Sequence, residues 1–534
     1  MLSADVFTSF PGQMWEKVLS KVNKAVVFMD DPCAESLHWS GGAALLFGAG
    51  ARNVKRFSSF ESGAGNEPKA VFVVSTLLKG RTADIIKDIV SLSRFRYCVV
   101  LTAVPHSLHL HADGVSAELE GNVAFTHFEE KLCGWMGSAE YTAEVLHAPV
   151  HFARVSSQLL IAPAFADLFP LLHTDLSSIN RKRPEKRRFP SLSDLDINSL
   201  PNELQVQIRA LASGLNTLFE LSNTREESFT VGPMSRLIAA ELANHPQART
   251  RRKSSTHKAS VVFIDRTLDL TGAVGHHGDS LLEKILSVLP RLPGHVTDVQ
   301  VDMLELTHLQ RTPETQGVLT PGCLAQTHSA AAASLWETML LAKQKEAVME
   351  VRRQVVEAAS KENLPIKMNL GVSSPEDLMT ERAHTALERV FEVLRGLSRA
   401  REHLKLLRSV YSAGDGAHQA TYRPFIKQVL EVIFSPNRPE CPDIEHASGR
   451  LTDLLKTGFS MFMKVNRPHP SDHPFVFLVM VGGVTASELR LIRDIVSTHK
   501  AGTQVLVIST RLLRPADIPH LLFSTNRLSP DIGV

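Results

Sequence analysis

Residues 261–272 read VVFIDRTLDLTG: an apolar run ends on Asp265, Arg266 follows, and a second carboxylate, Asp269, stands four places after the first. A carboxylate at the carboxyl end of a buried strand is where α/β enzymes often place a nucleophile, a general base or a metal ligand. The same residues also support a purely structural role. A guanidinium set between the two carboxylates, with backbone donors nearby, would lock the loop that leaves the strand through charge-assisted hydrogen bonds. Breaking such a cluster, once partly buried, would cost ~3–5 kcal/mol.

The catalytic reading has a definite form. DRTLDLTG is similar to the aspartyl-phosphate segment DKTGTLTG of the haloacid dehalogenase superfamily, and AGDGAHQA (413–420) to its metal-binding GDGxND. Asp265 would then be the nucleophile of a soluble Mg²⁺-dependent phosphohydrolase, with further carboxylates on the metal and a Lys steadying the phosphoryl group. The pattern departs in three places. Thr267 stands where a soluble phosphatase usually has its second Asp, Gln419 replaces a metal carboxylate, and the GDG around Asp415 follows LKLLRSVYS, a helical rather than a strand pattern.

Other chemistry is less well specified. There is no GxxxxGK[ST], and Gly482 and Gly483 precede a helix without completing GxGxxG. Thr485 and Glu488 of TASE form a capping box that satisfies the same helix donors an anion would need. HSLHLHAD (106–113) sets His109 and His111 two apart, as in many hydrolase strands, and His276 with His277 is an arbitrary complement. No further ligands can be located, and surface histidines are the simpler account. No GxSxG elbow is present. The five cysteines, Cys33, Cys98, Cys133, Cys323 and Cys441, form no CxxC pair, and their odd number suits a reducing, cytosolic setting. No cofactor or metal is expected.

The elements that must position these residues are of α/β type. KAVVFMD (24–30), ALLFGAG (44–50), AVFVVST (70–76) and RYCVVLTA (96–103) read as strands buried on both faces, alternating with helices such as RTADIIKDIVSLSRF (81–95). Residues 155–245 look mostly helical, with basic loops at 180–190 and 245–258 that read as solvated linkers, or as a phosphate, acidic-lipid or nuclear-import patch. Residues 329–362 contain no Gly or Pro, which predicts a single helix on the order of 50 Å long. Leu341, Val348, Val351, Val355 and Ala358 lie on one stripe of it. A second helix should open at Ser374 and Pro375 and carry Leu387, Phe391, Leu394, Leu397, Leu404 and Leu407, making a projecting hairpin. FVFLVMVGG (475–483) and TQVLVIST (503–510) return to strand and could join the sheet of Asp265.

A chain of 534 residues, 43% hydrophobic and 21% charged, can bury a large core. A net charge of +2 and 6% aromatics argue against nucleic acid as the main partner. No uncharged apolar stretch is long enough to span a bilayer, and the N-terminus, with Asp5, lacks the apolar region of a signal peptide.

The order of motifs resembles the SM (Sec/Munc) family of SNARE-binding proteins. VVFIDRTLDLTGAV is similar to that family's LDRGFDPVTP signature, with Asp265, Arg266 and Asp269 on its Asp, Arg and second Asp. FLVMVGGVTASELRLIRDI is similar to FIIGGITYSEMR through Gly482, Gly483, Thr485, Ser487, Glu488 and Arg490, and QVLVISTRLLRP to the closing strand and its loop, with Ser509 and Thr510. VGPMSRLIAAEL (231–242) resembles the helix before the signature strand. Three features differ: the family's Pro after the second Asp is Leu270, its LLHEFTYQAM continuation is GHHGDSLLEKIL here, and the stretch before Phe475 is short.

The resemblance implies a three-domain arch: an N-terminal α/β domain over 1–135, a discontinuous central α/β domain over 136–285 with 430–534, and a helical domain with the hairpin over 286–429. It implies a non-enzymatic, monomeric protein that binds syntaxin-type SNAREs, and tethering complexes besides, in vesicle docking, exocytosis and intracellular protein transport. Such a protein would be cytoplasmic and recruited peripherally to endomembranes, endoplasmic reticulum or Golgi, without inserting into them. Asp265, Arg266, Asp269, Gly482, Gly483, Thr485 and Glu488 would be structural, and the 329–362 helix a rail for helical partners.

Overall fold

Most of the apolar runs become the parallel central strands of two sheets, the second of which has an antiparallel strand at each edge. The computed structural model describes residues 6–63, 67–114, 121–181, 183–274, 280–301, 322–327, 329–361, 423–447, 468–499 and 502–523. β1 (Val26–Met29), β2 (Asn53–Arg56), β3 (Lys69–Val74), β4 (Tyr97–Thr102) and β5 (Thr142–His147) form a five-stranded sheet in the order β2-β1-β3-β4-β5, all parallel. Downstream lie β6 (Ala153–Ser156), β7 (Leu159–Ile161), β8 (Thr224–Val231), β9 (His257–Asp265), β10 (Gln300–Val301), β11 (Gly322–Cys323) and β12 (Glu445–His446). The last strands are β13 (Phe475–Val481), β14 (Val484–Thr485), β15 (Gln504–Ser509) and β16 (Leu512–Leu513). Seven of these make the second sheet, ordered β12-β8-β9-β13-β15-β7-β6, while β10 pairs with β11 and β14 with β16.

The C-terminal strands do join the sheet of Asp265. β13 lies parallel to β9, with Phe477 opposite Val261 and Val481 opposite Asp265, and β15 lies against the other side of β13. The second sheet is therefore assembled from segments more than two hundred residues apart. Its strands alternate between two cores, as a two-residue side-chain period requires. Val261 and Phe263 of β9 and Phe477 and Val479 of β13 face a core shared with Val27, Val71 and Val99 of the first sheet. Val262 and Ile264 face a second core, built with helices Leu281–Val288, Ala330–Leu341, Phe425–Ile433 and Ala486–His499. The outer face of the first sheet packs under helices Arg81–Ser91 and Val123–Met136.

Several expectations change. ALLFGAG is mainly the helix Ala43–Gly48, and the second strand is the polar NVKR segment that follows it. A short apolar run does not distinguish a strand from a helix turn. β5 belongs to the first sheet and lies beyond the expected boundary at 135; only Val145 of its residues is fully buried, so it lacks a continuous apolar run. Residues 155–245 hold β7 and β8 as well as helices. β8 was hidden by its charged TREE start, where buried Glu226 is neutralised by Arg251 and Arg252. Part of the basic 245–258 loop is thus the helix Ala248–Ser254, with Arg251 inside the protein rather than solvated.

The long helix is two. Ala330–Leu341 ends at Ala342, which is extended (ψ 162°), and Gln344–Lys361 begins anew, with the Glu346 carboxylate accepting the Lys343 N–H. Met339, Leu340 and Leu341 are all buried, so the last turn of the first helix is embedded in the second core. Val348 and Val351 pack partly against the same core. The side chains of Val355 and Ala358, the expected helix from Ser374 to Leu407, the AGDGAHQA segment and His276 with His277 lie outside the described residues. Among the described residues no helix is long and apolar enough to cross a membrane.

Candidate functional site

Asp265 closes β9 with its side chain on the face of Val261 and Phe263. There it accepts hydrogen bonds from the backbone N–H of Met234 (2.9 Å) and Ser235 (2.8 Å) and from Ser235 Oγ (2.6 Å). These donors are the open N-terminus of the helix Pro233–Asn244, whose preceding Gly232 offers no side-chain cap. Asp265 is thus a cap supplied from a neighbouring strand. The approach needs a glycine: Gly232 has φ +115°, and a Cβ there would stand 2.5 Å from the Asp265 carboxyl carbon. Burial outweighs the three donors and pushes the Asp265 carboxyl up to about 6.

Arg266, next in sequence, emerges on the opposite face. Its Nη1 lies 2.8 Å from both oxygens of Glu488, and Nη2 donates to the Asp269 carbonyl at 2.5 Å. Only 2% of Arg266 and 3% of Glu488 is exposed, so the pair is a buried one. Glu488 also completes the TASE capping box: it accepts the Thr485 N–H at 3.0 Å, and Thr485 Oγ1 accepts the Glu488 N–H at 3.1 Å. Glu283, on the helix Leu281–Val288, sits close by, and burial together with the Glu488 charge pushes it up to about 7.

The expected sandwich of Arg266 between Asp265 and Asp269 is therefore not what forms. Strand alternation sends residues 265 and 266 to opposite faces, and the guanidinium finds its carboxylate on Glu488, 222 residues away. Asp269 instead uses its carboxylate to accept the N–H of Gly272 (2.7 Å) and of Phe425 (2.9 Å). Phe425 opens the helix Phe425–Ile433, which has no side-chain cap of its own. Asp265 and Asp269 thus cap two different helices from outside.

Gly482 and Gly483 carry the chain from β13 to that capping box, with φ of +97° and +112°. A Cβ on Gly482 would meet Pro170 at 2.7 Å and Arg266 at 2.8 Å, and one on Gly483 would meet Leu513 at 2.4 Å. The site so defined gathers Asp265, Arg266, Asp269, Gly482, Gly483, Thr485 and Glu488 at the carboxyl ends of β9 and β13. Its carboxylates are engaged by Arg266 or by the N–H groups of adjacent helices. Both Asp265 oxygens are engaged and the residue is 1% exposed, so no face of the carboxylate is open to a phosphoryl group.

His109 and His111 belong to the helix His106–Ala112 rather than to a strand. His109 is held between the Leu78 N–H and the Pro105 carbonyl, and burial drops it to about 4. His111 faces Arg209 instead. Sequence reasoning also passed over Asp30, which ends KAVVFMD as Asp265 ends its own strand. Asp30 accepts the Cys33 N–H (3.1 Å), the Ser75 N–H (2.6 Å) and Ser75 Oγ (2.7 Å). The signal was the same apolar run ending on Asp.

Comparison with known proteins bears on what this frame serves. No protein-family model matches the chain. It is 42% identical to the Sec1 family domain-containing protein 2 of Mus musculus and to that of Homo sapiens, with the whole of each chain covered. The alignment runs over 683 positions against 534 residues here, so it holds gaps opposite stretches this chain lacks. Among solved structures, the SM protein Vps45 in complex with the Qa SNARE Tlg2 matches with a TM-score of 0.56 at 10% identity, over 98% of both chains. A second structure, with Tlg2 (1–310), gives 0.55 at 10% identity, over 97% of this chain and 98% of that one. The structural likeness carries the fold, and the full-length identity carries the kinship: this chain belongs to the SM (Sec/Munc) family.

Proposed function

We propose that this chain is a non-enzymatic SM-type factor that binds syntaxin-type SNAREs, or partly assembled SNARE bundles, in vesicle docking and fusion. The observation that carries this is the 42% identity along the whole of a Sec1 family domain-containing protein. The SM protein with the same fold is described in complex with a Qa SNARE, which names the partner class to test. In physical terms the chain would act as a template: it holds partner helices in register and lowers the ordering entropy that each must lose on assembly.

The finer reading keeps a three-domain arch, with an N-terminal unit extended through β5, a discontinuous central unit and a helical unit. The family-motif residues serve as its internal frame. The factor works as a monomer in the cytoplasm and is recruited to endoplasmic reticulum or Golgi membranes by SNAREs and tethering complexes. The haloacid-dehalogenase reading has no support in the geometry, because the carboxylate it needs as a nucleophile is engaged on both oxygens.

The test is binding of the purified full chain to a panel of Qa SNARE cytoplasmic regions, alone and with their cognate partners. Retention of one subset at about 1 µM or tighter is expected. A folded chain that binds none of the panel, in either form, would overturn the reading. Turnover of a phosphoester with Mg²⁺, lost in Asp265→Asn, would establish the rival.

A further inference from the structure

Three segments remote in sequence bring a histidine, an aspartate and a cysteine to one point. His38 lies in the last turn of the helix Asp31–Trp39, Asp298 just before β10, and Cys323 in β11. Pairing of Gln300 with Cys323 between β10 and β11 sets the last two side by side. One ligating atom from each of the three lies within 4.8 Å of the others, and His38 Nε2 stands 3.0 Å from Asp298 Oδ2.

The surroundings orient these atoms. Asp298 is fully buried; its Oδ1 accepts the Val299 N–H at 2.8 Å, the Ala325 N–H lies 3.3 Å from both of its oxygens, and Oδ2 is turned towards His38. Gln326 Nε2 donates to Cys323 Sγ at 3.3 Å. Thr327 Oγ1 donates to the His38 carbonyl at 2.6 Å, which fixes the end of its helix. A second imidazole, His295, packs edge-on to His38 with ring centroids 4.8 Å apart, and its Nδ1 is buried with no hydrogen-bond partner among the described residues.

We propose that His38, Asp298 and Cys323 form a zinc site that ties residues 292–301 and 322–327 to the helix Asp31–Trp39. The donor set decides the class of metal. One thiolate, imidazole nitrogen and a single carboxylate oxygen suit Zn²⁺ at ~2.0–2.3 Å, whereas Mg²⁺ and Ca²⁺ require shells of oxygen. The hydrogen bonds to Asp298 and Cys323 are the outer contacts that hold metal ligands in place. On binding, the Cys323 thiol gives up its hydrogen bond to the Ala325 carbonyl and releases its proton to solvent, the neutral His38 ring carries its proton on Nδ1 so that Nε2 is free to ligate, and the His38–Asp298 hydrogen bond gives way to two bonds to the ion. The site does not depend on the SNARE-binding reading.

The test uses the full chain, stripped with chelator, dialysed against Zn²⁺ and analysed for metal. About one ion per chain is expected. Cys323→Ser and His38→Gln should each lower retention on the order of tenfold or more, while Cys441→Ser, which removes a thiol 3.5 Å from His469 elsewhere in the chain, should leave it unchanged. Co²⁺ should give a thiolate charge-transfer absorption that Cys323→Ser abolishes and Cys441→Ser keeps. Circular dichroism identifies the variants that have folded. The proposal is overturned if the folded wild type retains no zinc, or if folded Cys323→Ser retains as much. It is overturned too if His38→Gln lowers the thermal midpoint equally with and without zinc, since the cluster would then be a plain hydrogen-bonded pair.

Discussion

Asp30 and Asp265 occupy equivalent places in the two sheets. Each ends a central parallel strand after an apolar run, and each accepts two hydrogen bonds from one serine, N–H and Oγ, plus one more backbone N–H. They differ in what they tie. Asp30 caps the helix that follows its own strand, three residues on, and clamps the exit of the adjacent strand. Asp265 caps a helix that precedes its strand, and Arg266 beside it reaches through the other face to Glu488 on the C-terminal helix. The first sheet is closed by contacts within one stretch of chain. The second is closed by a polar brace between β9 and the segment after β13, which fits a sheet whose strands come from both sides of a long insertion.

The largest effect should come from breaking that brace. Arg266→Met leaves Glu488 buried beside Glu283 with no cation, and should cost ~3–5 kcal/mol in urea unfolding. The double variant Arg266→Met, Glu488→Met should recover much of the loss, because the uncompensated charge goes with it. If the double variant is no more stable than the single, the difference between the two sheets lies elsewhere than in this pair.

The two aspartates come next. Asp265→Ala strands three donors in a fully buried place and should cost ~2–4 kcal/mol. Asp30→Ala should cost less, ~1–2 kcal/mol, since Asp30 keeps an edge of solvent contact and water can replace part of what is lost. Equal losses in matched unfolding curves would show that solvent contact does not separate the two sites.

The pair also shows what a sequence discloses. Apolar runs without polar interruption disclosed the central strands, because a parallel strand covered on both faces must be apolar throughout. β5 and β8 were hidden because one is an edge strand and the other begins with charges neutralised only after folding. The ordered motifs located Asp265, Arg266, Asp269 and Glu488, but not who bonds whom. The partner of Arg266 is fixed by the register of β13 against β9, a long-range fact that local spacing does not encode. His38, Asp298 and Cys323 were out of reach for the same reason: 260 residues separate the first two.

A further variant isolates the charge beside the brace, which has no counterpart at Asp30. Glu283 is raised from an ordinary 4.5 to about 7 by burial and by Glu488. A carboxyl whose folded value is raised contributes its stability below the unfolded value and loses it as pH rises through the folded one. Wild type should therefore lose stability between about pH 4.5 and 7 on account of Glu283, and Glu283→Gln should not. Asp265 has the same sign, with a window that ends near 6, but it is common to both proteins and cancels in their difference. Glu283→Gln should be the more stable at pH 8 by about 2–3 kcal/mol. A constant difference across that window would mean that Glu283 is not protonated in the fold.

The smallest effect tests the other end of the comparison. Beside Asp30 the first sheet also has an arginine–carboxylate pair, Arg56 with Asp31 at 3.2 Å, superficially like Arg266 with Glu488. Its side chains are 68% and 46% exposed, against 2% and 4% for the buried pair. In water the Coulomb gain is screened, and holding two long side chains together costs rotamer entropy. Arg56→Ala should change stability by ~0.5 kcal/mol or less, and raising the salt concentration should shrink even that. A loss of several kcal/mol would mean that Arg56 is part of a closing brace for the first sheet, and the contrast between a locally closed sheet and a long-range one would fail.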